Sequence, residues 1–378
     1  MMEIPAETDV FFIGGGPAGL AGAIAARAKG LRVVVADCCR PPVDKACGEG
    51  LMPDAVAALR TLGVAIHPER SFPFRGIRFA GSEPASTQSV DADFPRGHGI
   101  GVRRTTLHPL LIERAVQAGV RLLWESPVTE IGDRGVTVCG RFVRSEWVVG
   151  ADGQNSRVRR WAALDQFRRR ANRFGFRRHY RIRPWSDYVE IYWGADCQLY
   201  VTPVAPEEVC LAVLARDPHL RLDDALDRFP EVVRRLDGAV AASVERGGLS
   251  ATNELKSVVR GRVALLGDAS GSVDAITGDG LCLSFLQAAA LAEALASGNL
   301  ANYQSAHRRL FLRPARMGAL LLALDRSGPL RRRVLRALAA RPNIFSNLLA
   351  AHVGEVSPAD LLWKTALPLG WRLLRGDA

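Results

Sequence analysis

The run Gly14-Gly15-Gly16-Pro17-Ala18-Gly19 limits what this chain can fold into more than any other stretch. It follows an apolar run at 9–13 and precedes small helix-forming residues at 20–28, and a second apolar, β-branched run fills 31–36. Strand, turn, helix and strand within about 30 residues is the size of a βαβ unit. Parallel strands need a right-handed crossover of this kind, so the N-terminus is predicted to open a doubly wound sheet. The turn contains G-x-G-x-x-G. Gly14 permits the tight turn, Gly16 lets the backbone approach a pyrophosphate, and Gly19 lets helix and strand pack closely. Unpaired N–H groups and the positive end of the helix dipole, at Pro17 and Ala18, suit a diphosphate. Asp37 ends the second strand. A carboxylate there accepts hydrogen bonds from ribose hydroxyls and repels a 2′-phosphate, so the bound nucleotude is expected not to be NADP.

Downstream, apolar periodicity sorts the chain into layers. Helices are predicted at 54–62, with Pro53 near the start and Gly63 at the end, and at 107–118, closed by Gly119. Residues 67–100 hold Pro, Gly, Ser and alternating strands, expected as part of an inserted sheet. Residues 173–215 alternate like antiparallel strands, most clearly at 189–193, 198–201 and 209–214. Buried strands are predicted at 147–149 and 263–266 and helices at 222–236 and 281–295; everything beyond about residue 300 reads as helical. The fold class expected is α/β. A doubly wound, Rossmann-like nucleotide-binding domain carries an inserted antiparallel β-sheet substrate domain and a C-terminal helical cap. The expected boundaries are 1–70, 101–168 and 252–310 for the first, 71–100 and 169–251 for the second, and 311–378 for the helical region.

Two later motifs separate FAD from NAD. Val148-Val149-Gly150-Ala151-Asp152-Gly153 follows a strand, with Ser156 and Arg157 just after it. The strand at 263–266 leads into Gly267-Asp268-Ala269, and then Asp274-Ala275-Ile276-Thr277-Gly278-Asp279-Gly280. A dehydrogenase that binds NAD has no use for either element. With these motifs in this order, most of the chain resembles the FAD-dependent superfamily that unites single-component aromatic hydroxylases with geranylgeranyl reductases. The resemblance implies FAD as the cofactor. It implies that Asp268 binds the ribityl chain and that the loop at 277–280 lies along the pyrimidine edge of the isoalloxazine. It also places Arg104 near the cofactor and makes Asp152 and Gly153 the superfamily's Asp-Gly element. Read from the residues alone, Leu281 begins a helix whose positive end suits the charge of a reduced flavin at N1–O2. Asp268 ends a buried strand, where ligands bind in open α/β sheets; a helix cap is its other reading. The expected cofactor-binding set is Gly14, Gly16, Pro17, Ala18, Gly19, Asp37, Cys47, Gly48, Arg104, Asp152, Gly153, Gly267, Asp268, Gly278, Asp279, Gly280 and Leu281.

The stretch Asp44-Lys45-Ala46-Cys47-Gly48-Glu49-Gly50 is similar to the Cys-Gly-rich loop near the flavin in geranylgeranyl reductase-like members. It makes Cys47 the one catalytic candidate, against a reading as a small buried loop residue. Residues 198–203 lie where those reductases carry an aromatic substrate motif ending in Phe-Pro. Here Tyr200, Thr202 and Pro203 are the substrate-side candidates, and only one aromatic and the proline match. That departure favours hydroxylation over prenyl reduction. Halogenation is discounted, because the W-x-W-x-I-P motif is absent and no lysine lies between Lys45 and Lys256. The activity expected is flavin-dependent oxidation, foremost hydroxylation by a monooxygenase of a small lipophilic or aromatic substrate, through reduced flavin and O₂. The alternative is a reductase that delivers hydride to a carbon–carbon double bond. No second Gly-rich dinucleotide fold is present, so NAD(P)H is expected to donate electrons transiently or through a partner. No metal is expected, and His98, His108 and His179 are acid–base candidates by residue type only.

The net charge of +11 is nearly all arginine, since only Lys29, Lys45, Lys256 and Lys364 are lysines. It reads first as a bland surface, and otherwise as attraction to phosphates, a membrane or RNA. Phe167, Arg168, Arg169, Arg170, Phe174, Arg177 and Arg178 interleave basic and aromatic residues, which raises an RNA-binding flavoprotein as a third class. No RNA-binding signature accompanies them, so solvated arginines between strands and no nucleic-acid partner are expected. Apolar and basic residues at 320–324, 330–335 and 344–349 alternate at helical spacing. They suit a cap on the core, or a face that sits peripherally on a membrane and feeds in a greasy substrate. Seven scattered cysteines without C-x-x-C argue for a reducing cytoplasm. No signal peptide is read at the start, and the longest apolar stretches are too short to cross a bilayer.

Overall fold

Strands buried on both faces read as unbroken apolar runs, and three such runs build the first sheet. The computed structural model describes residues 3–81 and 89–356. Strand Glu7–Ile13 lies at the centre, with Val10, Phe11 and Phe12 fully buried. It pairs in parallel with Val33–Ala36 on one side and Arg141–Gly150 on the other. Arg121–Leu123 extends the sheet beyond Val33–Ala36, and Val263–Leu265 extends it beyond Arg141–Gly150, both in parallel. Helices Pro17–Ala28, Arg104–Gln117 and Gly280–Ala296 pack with this sheet into the largest core.

The second sheet takes its strands from two separated segments. Its order is Val240–Ala241, Phe167–Arg181, Glu208–Ala215, Cys197–Ala205, Tyr188–Trp193, Gly76–Gly81 and Ser89–Asp93. Strand Arg246–Leu255 also pairs with Phe167–Arg181. The sheet is antiparallel except where Tyr188–Trp193 meets Gly76–Gly81 in parallel, a pairing that alternation cannot reveal. Residues expected together at 71–100 are divided. Phe72–Phe74 and Gly99–Gly101 form a small sheet with Gly50–Leu51, and only Gly76–Gly81 and Ser89–Asp93 join the large one. The helix expected at 222–236 is two short helices, Leu222–Leu226 and Pro230–Arg235. Pro230 has no N–H and restricts Phe229 before it, so the first helix stops and a second starts on the proline.

Helices Leu300–Arg326, Gly328–Ala340 and Pro342–His352 form the cap. Their apolar side chains Leu322, Val334, Leu338 and Phe345 share a core with Phe79, Ile191 and Trp193 of the second sheet, and with Met52 and Ile276. The arginines expected to be solvated divide. Arg168, Arg169 and Arg170 are exposed, but Arg177 is 1% exposed and paired with Asp44.

The first cap helix is bolted to the first sheet by a column of aromatic side chains. Tyr303 donates its hydroxyl to Leu265 O at 2.8 Å, His307 stacks on Phe311, and His307 Nε2 meets Ser270 Oγ at 3.0 Å. Burial lowers the His307 pKa to about 4, so the ring is neutral in the fold. An unfolded histidine titrates near about 6.5. The unfolded chain therefore takes up a proton first as pH falls, and stability drops from about pH 6.5 down to about pH 4. Urea unfolding across that window is expected to lose about 2–3 kcal/mol in the wild type that His307→Gln does not lose. Equal pH slopes for the two proteins would count against this placement of His307.

Candidate active site

The nucleotide end of the site is fixed by backbone contacts that leave no room for side chains. Gly14 has φ +112°, and a Cβ there would lie 2.4 Å from Ala151 O; one on Gly19 would lie 1.9 Å from Gly14 O. Gly16 is different. Its nearest neighbour would be Arg104 Nη2 at 4.0 Å, so its surface faces open space. Pro17 begins the helix, where a missing N–H costs nothing. Asp37 accepts from Gly15 N at 2.7 Å with one oxygen and from Cys39 N at 2.8 Å with the other. Its carboxylate thus shapes the loop as well as standing where a ribose would lie. Two residues that sequence reasoning did not assign hold this loop from behind. Trp124 packs on Gly15, and His108 donates Nε2–H to Gly15 O at 2.8 Å while its Nδ1 accepts from Val43 N at 3.2 Å. Burial lowers the His108 pKa, which keeps the ring neutral for these two roles.

The remaining motifs meet the loop across the carboxyl ends of the strands. A Cβ on Gly267 would lie 2.5 Å from Ala18, so these two motifs touch. Asp268 is exposed to the cleft, and its side-chain carboxylate accepts no hydrogen bond from any described residue. The cap role weighed for it is not taken. The enclosing walls of the cleft raise its pKa, and Arg104 and Lys45 oppose them. Asp152 instead caps the helix Arg157–Trp161, accepting from Arg157 N at 2.7 Å and Val158 N at 3.2 Å. Gly153, at φ +78°, lies beside Lys45 Nζ.

Two loops face each other where the flavin ring is expected. Gly278 and Gly280 are exposed, and a Cβ on Gly280 would meet nothing within 4 Å. The same holds for Gly48. Met52 lies across from Gly278, its Cε 3.9 Å from where that Cβ would be. Leu281 stands in the first turn of its helix, half-buried. Asp279 departs from the expectation. Its carboxylate is 1% exposed and turned into the protein, 3.5 Å from His352 Nε2, and burial raises its pKa. Only its backbone belongs to the cleft-side turn. Tyr200 donates its hydroxyl to Ile276 O at 3.2 Å and so touches the back of this loop. Thr202 and Pro203 pack instead on Gly50 and Gly101 of the small sheet.

Cys47 is half-buried beside the cleft, and burial raises its thiol pKa above the usual range, so it carries its proton at neutral pH. Behind it lies a polar cluster missed at the sequence level. Glu49, Arg177 and His179 are all buried, with His179 Nε2 2.5 Å from Glu49 Oε2. Glu49, His179 and Cys210 have the residue types of a metal site. Arg177 already supplies the positive charge there, 3.9 Å from Glu49 Oε1 and 3.3 Å from His179 Nδ1.

FAD fits what is present. Arg104 Nε is buried without a partner, and its guanidinium has no carboxylate within bridging distance among the described residues. An unmatched cation over the open side of Gly16 and an unmatched carboxylate at Asp268 are the complements of a diphosphate and a polyol.

Comparisons with known proteins agree. The family described as FAD binding domain matches residues 7–196. Menaquinone reductase of Mycolicibacterium smegmatis is 27% identical over 95% of this chain and 96% of its own. Digeranylgeranylglycerophospholipid reductase of Thermoplasma volcanium is 28% identical over 72% of this chain and 74% of its own. The crystal structure of a flavoprotein/dehydrogenase from Cytophaga hutchinsonii superposes with a TM-score of 0.84 at 17% identity, covering 98% of this chain and 100% of that one. Replacing Arg104 by Met, or Asp268 by Asn, is expected to weaken FAD binding about 10–100-fold, the cost of a charge-assisted hydrogen bond. Titration of the apoprotein by flavin fluorescence measures this, and unchanged affinity in both variants would refute the assignment.

Proposed function

The chain belongs to the FAD binding domain family and is an FAD-dependent oxidoreductase; from that premise we propose that it reduces carbon–carbon double bonds in an isoprenoid lipid. The observation that carries this reading is the Cys47 thiol. It holds its proton and is half-buried in the segment that carries Gly48 and, five residues on from Cys47, Met52, whose Cε lies against Gly278 of the glycine-lined loop. When bound, FAD supplies two-electron chemistry, as hydride to carbon or as electrons to O₂. Saturating a double bond also requires a proton on the second carbon. Cys47 is placed to give it, and its thiolate regains a proton from water. Hydroxylation, favoured by the departures at 198–203, would use the same cofactor site but has no need of this donor. The names of the two reductases above support reduction. Electrons are proposed to come from NAD(P)H, bound transiently at the open side of the cleft.

Turnover with a geranylgeranyl lipid, measured both with and without O₂, decides between the two chemistries. The expected product gains hydrogen without O₂ uptake. Cys47→Ala should lower turnover roughly 100-fold and leave reduction of the flavin by dithionite unchanged. A product that gains oxygen, with O₂ consumed in proportion, would establish hydroxylation instead.

The substrate is proposed to arrive from a membrane surface. Asp325 is the one carboxylate between residues 300 and 354, and it is buried. Arg308, Leu312, Arg316 and Leu320 follow one another at i, i+4 spacing along the cap's first helix, and all four are exposed. Among the described residues no helix is long and apolar enough to cross a membrane, and the contact proposed here is a peripheral one. Each arginine near an anionic surface contributes about 1 kcal/mol. The protein is expected to sediment with phosphatidylglycerol vesicles but not phosphatidylcholine vesicles, and to be released by high salt. Arg308→Glu with Arg316→Glu should abolish sedimentation; binding that ignores both lipid charge and these changes would dismiss this surface.

A further inference from the structure

Glu49 occupies a backbone conformation that glycine would adopt without strain. Its φ is +59°, and it stands between Gly48 and Gly50. A side chain in this region costs conformational energy. A carboxylate that is also 2% exposed must be met by partners.

Two hydrogen-bond donors and a guanidinium meet it. Arg104 N–H donates to Oε1 at 2.9 Å, His179 Nε2 lies 2.5 Å from Oε2, and Arg177 Nη2 is 3.9 Å from Oε1. On the far side of the imidazole, Nδ1 faces Ser243 Oγ at 2.8 Å and Arg177 Nη1 at 3.3 Å. A guanidinium can only donate, so Nδ1 accepts and the ring proton sits on Nε2, where it donates to Glu49. The charge of Arg177 is answered by Asp44, which Arg246 approaches to 3.6 Å. Arg103, next along the chain from Arg104, is paired with Glu208 at 3.3 Å. The Cys210 thiol, held neutral by burial, donates to Cys47 O at 3.9 Å. The Glu49 carboxylate is therefore held from two elements at once, helix Arg104–Gln117 and strand Phe167–Arg181.

The same residue reaches the reactive sulfur. Glu49 N–H donates to Cys47 Sγ at 3.4 Å. Burial does most to keep the proton on the thiol and the carboxylate charge adds to it, whereas Arg104, the Glu49 N–H bond and Arg177 favour the thiolate.

We propose that Glu49 is the positioning residue for Cys47, a fixed anion that holds the turn at 47–50 against the cleft and sets its charge beside the sulfur. This deepens the reductive reading and rests on it for the use made of the proton. With FAD bound, the cofactor would supply hydride to one carbon, and the Cys47 thiol would give its proton to the other. The resulting thiolate then recovers a proton from water.

The test reads the thiol and does not require turnover. The FAD-loaded protein is treated with iodoacetamide across the pH range in which thiols titrate, and Cys47 modification is followed at the peptide level. Glu49→Gln removes the charge at constant size, and Glu49→Asp keeps the charge but shifts it. Flavin absorbance confirms that both variants are folded and loaded. The alkylation midpoint in E49Q is expected to fall by on the order of one pH unit, with E49D remaining near wild type. An E49Q midpoint equal to that of wild type overturns the proposal even if activity falls. So does a Cys47 equally inert in all three proteins at every pH. A shifted midpoint in a protein that reduces no isoprenoid double bond would leave the tie between Glu49 and Cys47 standing and sink the reductive reading alone.

Discussion

The whole site depends on one close approach of backbone to backbone. The first helix comes so near its own strand that even a methyl group on Gly19 would strike the Gly14 carbonyl. This proximity sets the helix N-terminus at the carboxyl ends of Glu7–Ile13 and Arg141–Gly150, where Ala151 closes against Gly14 and Gly267 against Ala18. Three motifs more than a hundred residues apart in sequence thereby line one cleft. Glycine is needed at the contacts for space, and at Gly16 to leave the surface bare for a ligand.

What could be read from sequence was the part of the site built from local chemistry. The Gly-rich turn, the strand ends at Asp152 and Asp268 and the helix at 280 each carry their signal within a few residues. Contacts between distant segments were not legible. His108 looks like any histidine on an amphipathic helix, and nothing near it in the sequence points to Gly15, 93 residues away. Glu49 and His179 are 130 positions apart, and the tie between them exists only because strand Phe167–Arg181 passes behind the Cys47 loop. The arginines of that strand alternate between solvent and interior, a distinction set by the carboxylates they meet. Asp279 shows the converse. Its place in a glycine-flanked turn suggested a ligand contact, but only the fold decides which way a side chain leaves such a turn.

The loop that would border the flavin is held from behind by both other parts of the structure. Arg173 of the large sheet pairs with Asp274 at 3.1 Å and donates to Gln198 at 3.0 Å, and Gln198 in turn donates to Asp325 of the cap. Tyr200 and His352 reach Ile276 O and Thr277 O of the same loop. Buried charges of this kind add little net stability when fully paired, but they specify a geometry, because breaking one pair strands the other charge. The large sheet and the cap therefore determine the position of the loop at 274–280.

The parallel pairing of Gly76–Gly81 with Tyr188–Trp193 has a kinetic consequence. It joins segments more than a hundred residues apart, and between them the chain returns to the nucleotide-binding sheet to contribute Arg121–Leu123 and Arg141–Gly150. Neither sheet can be completed while the other is unformed, and no single cut of the chain yields two pieces that each hold a whole sheet. Such interleaving raises contact order and slows folding. Assembly is accordingly a collective event, in which the cleft of the first sheet and the second sheet come into being together.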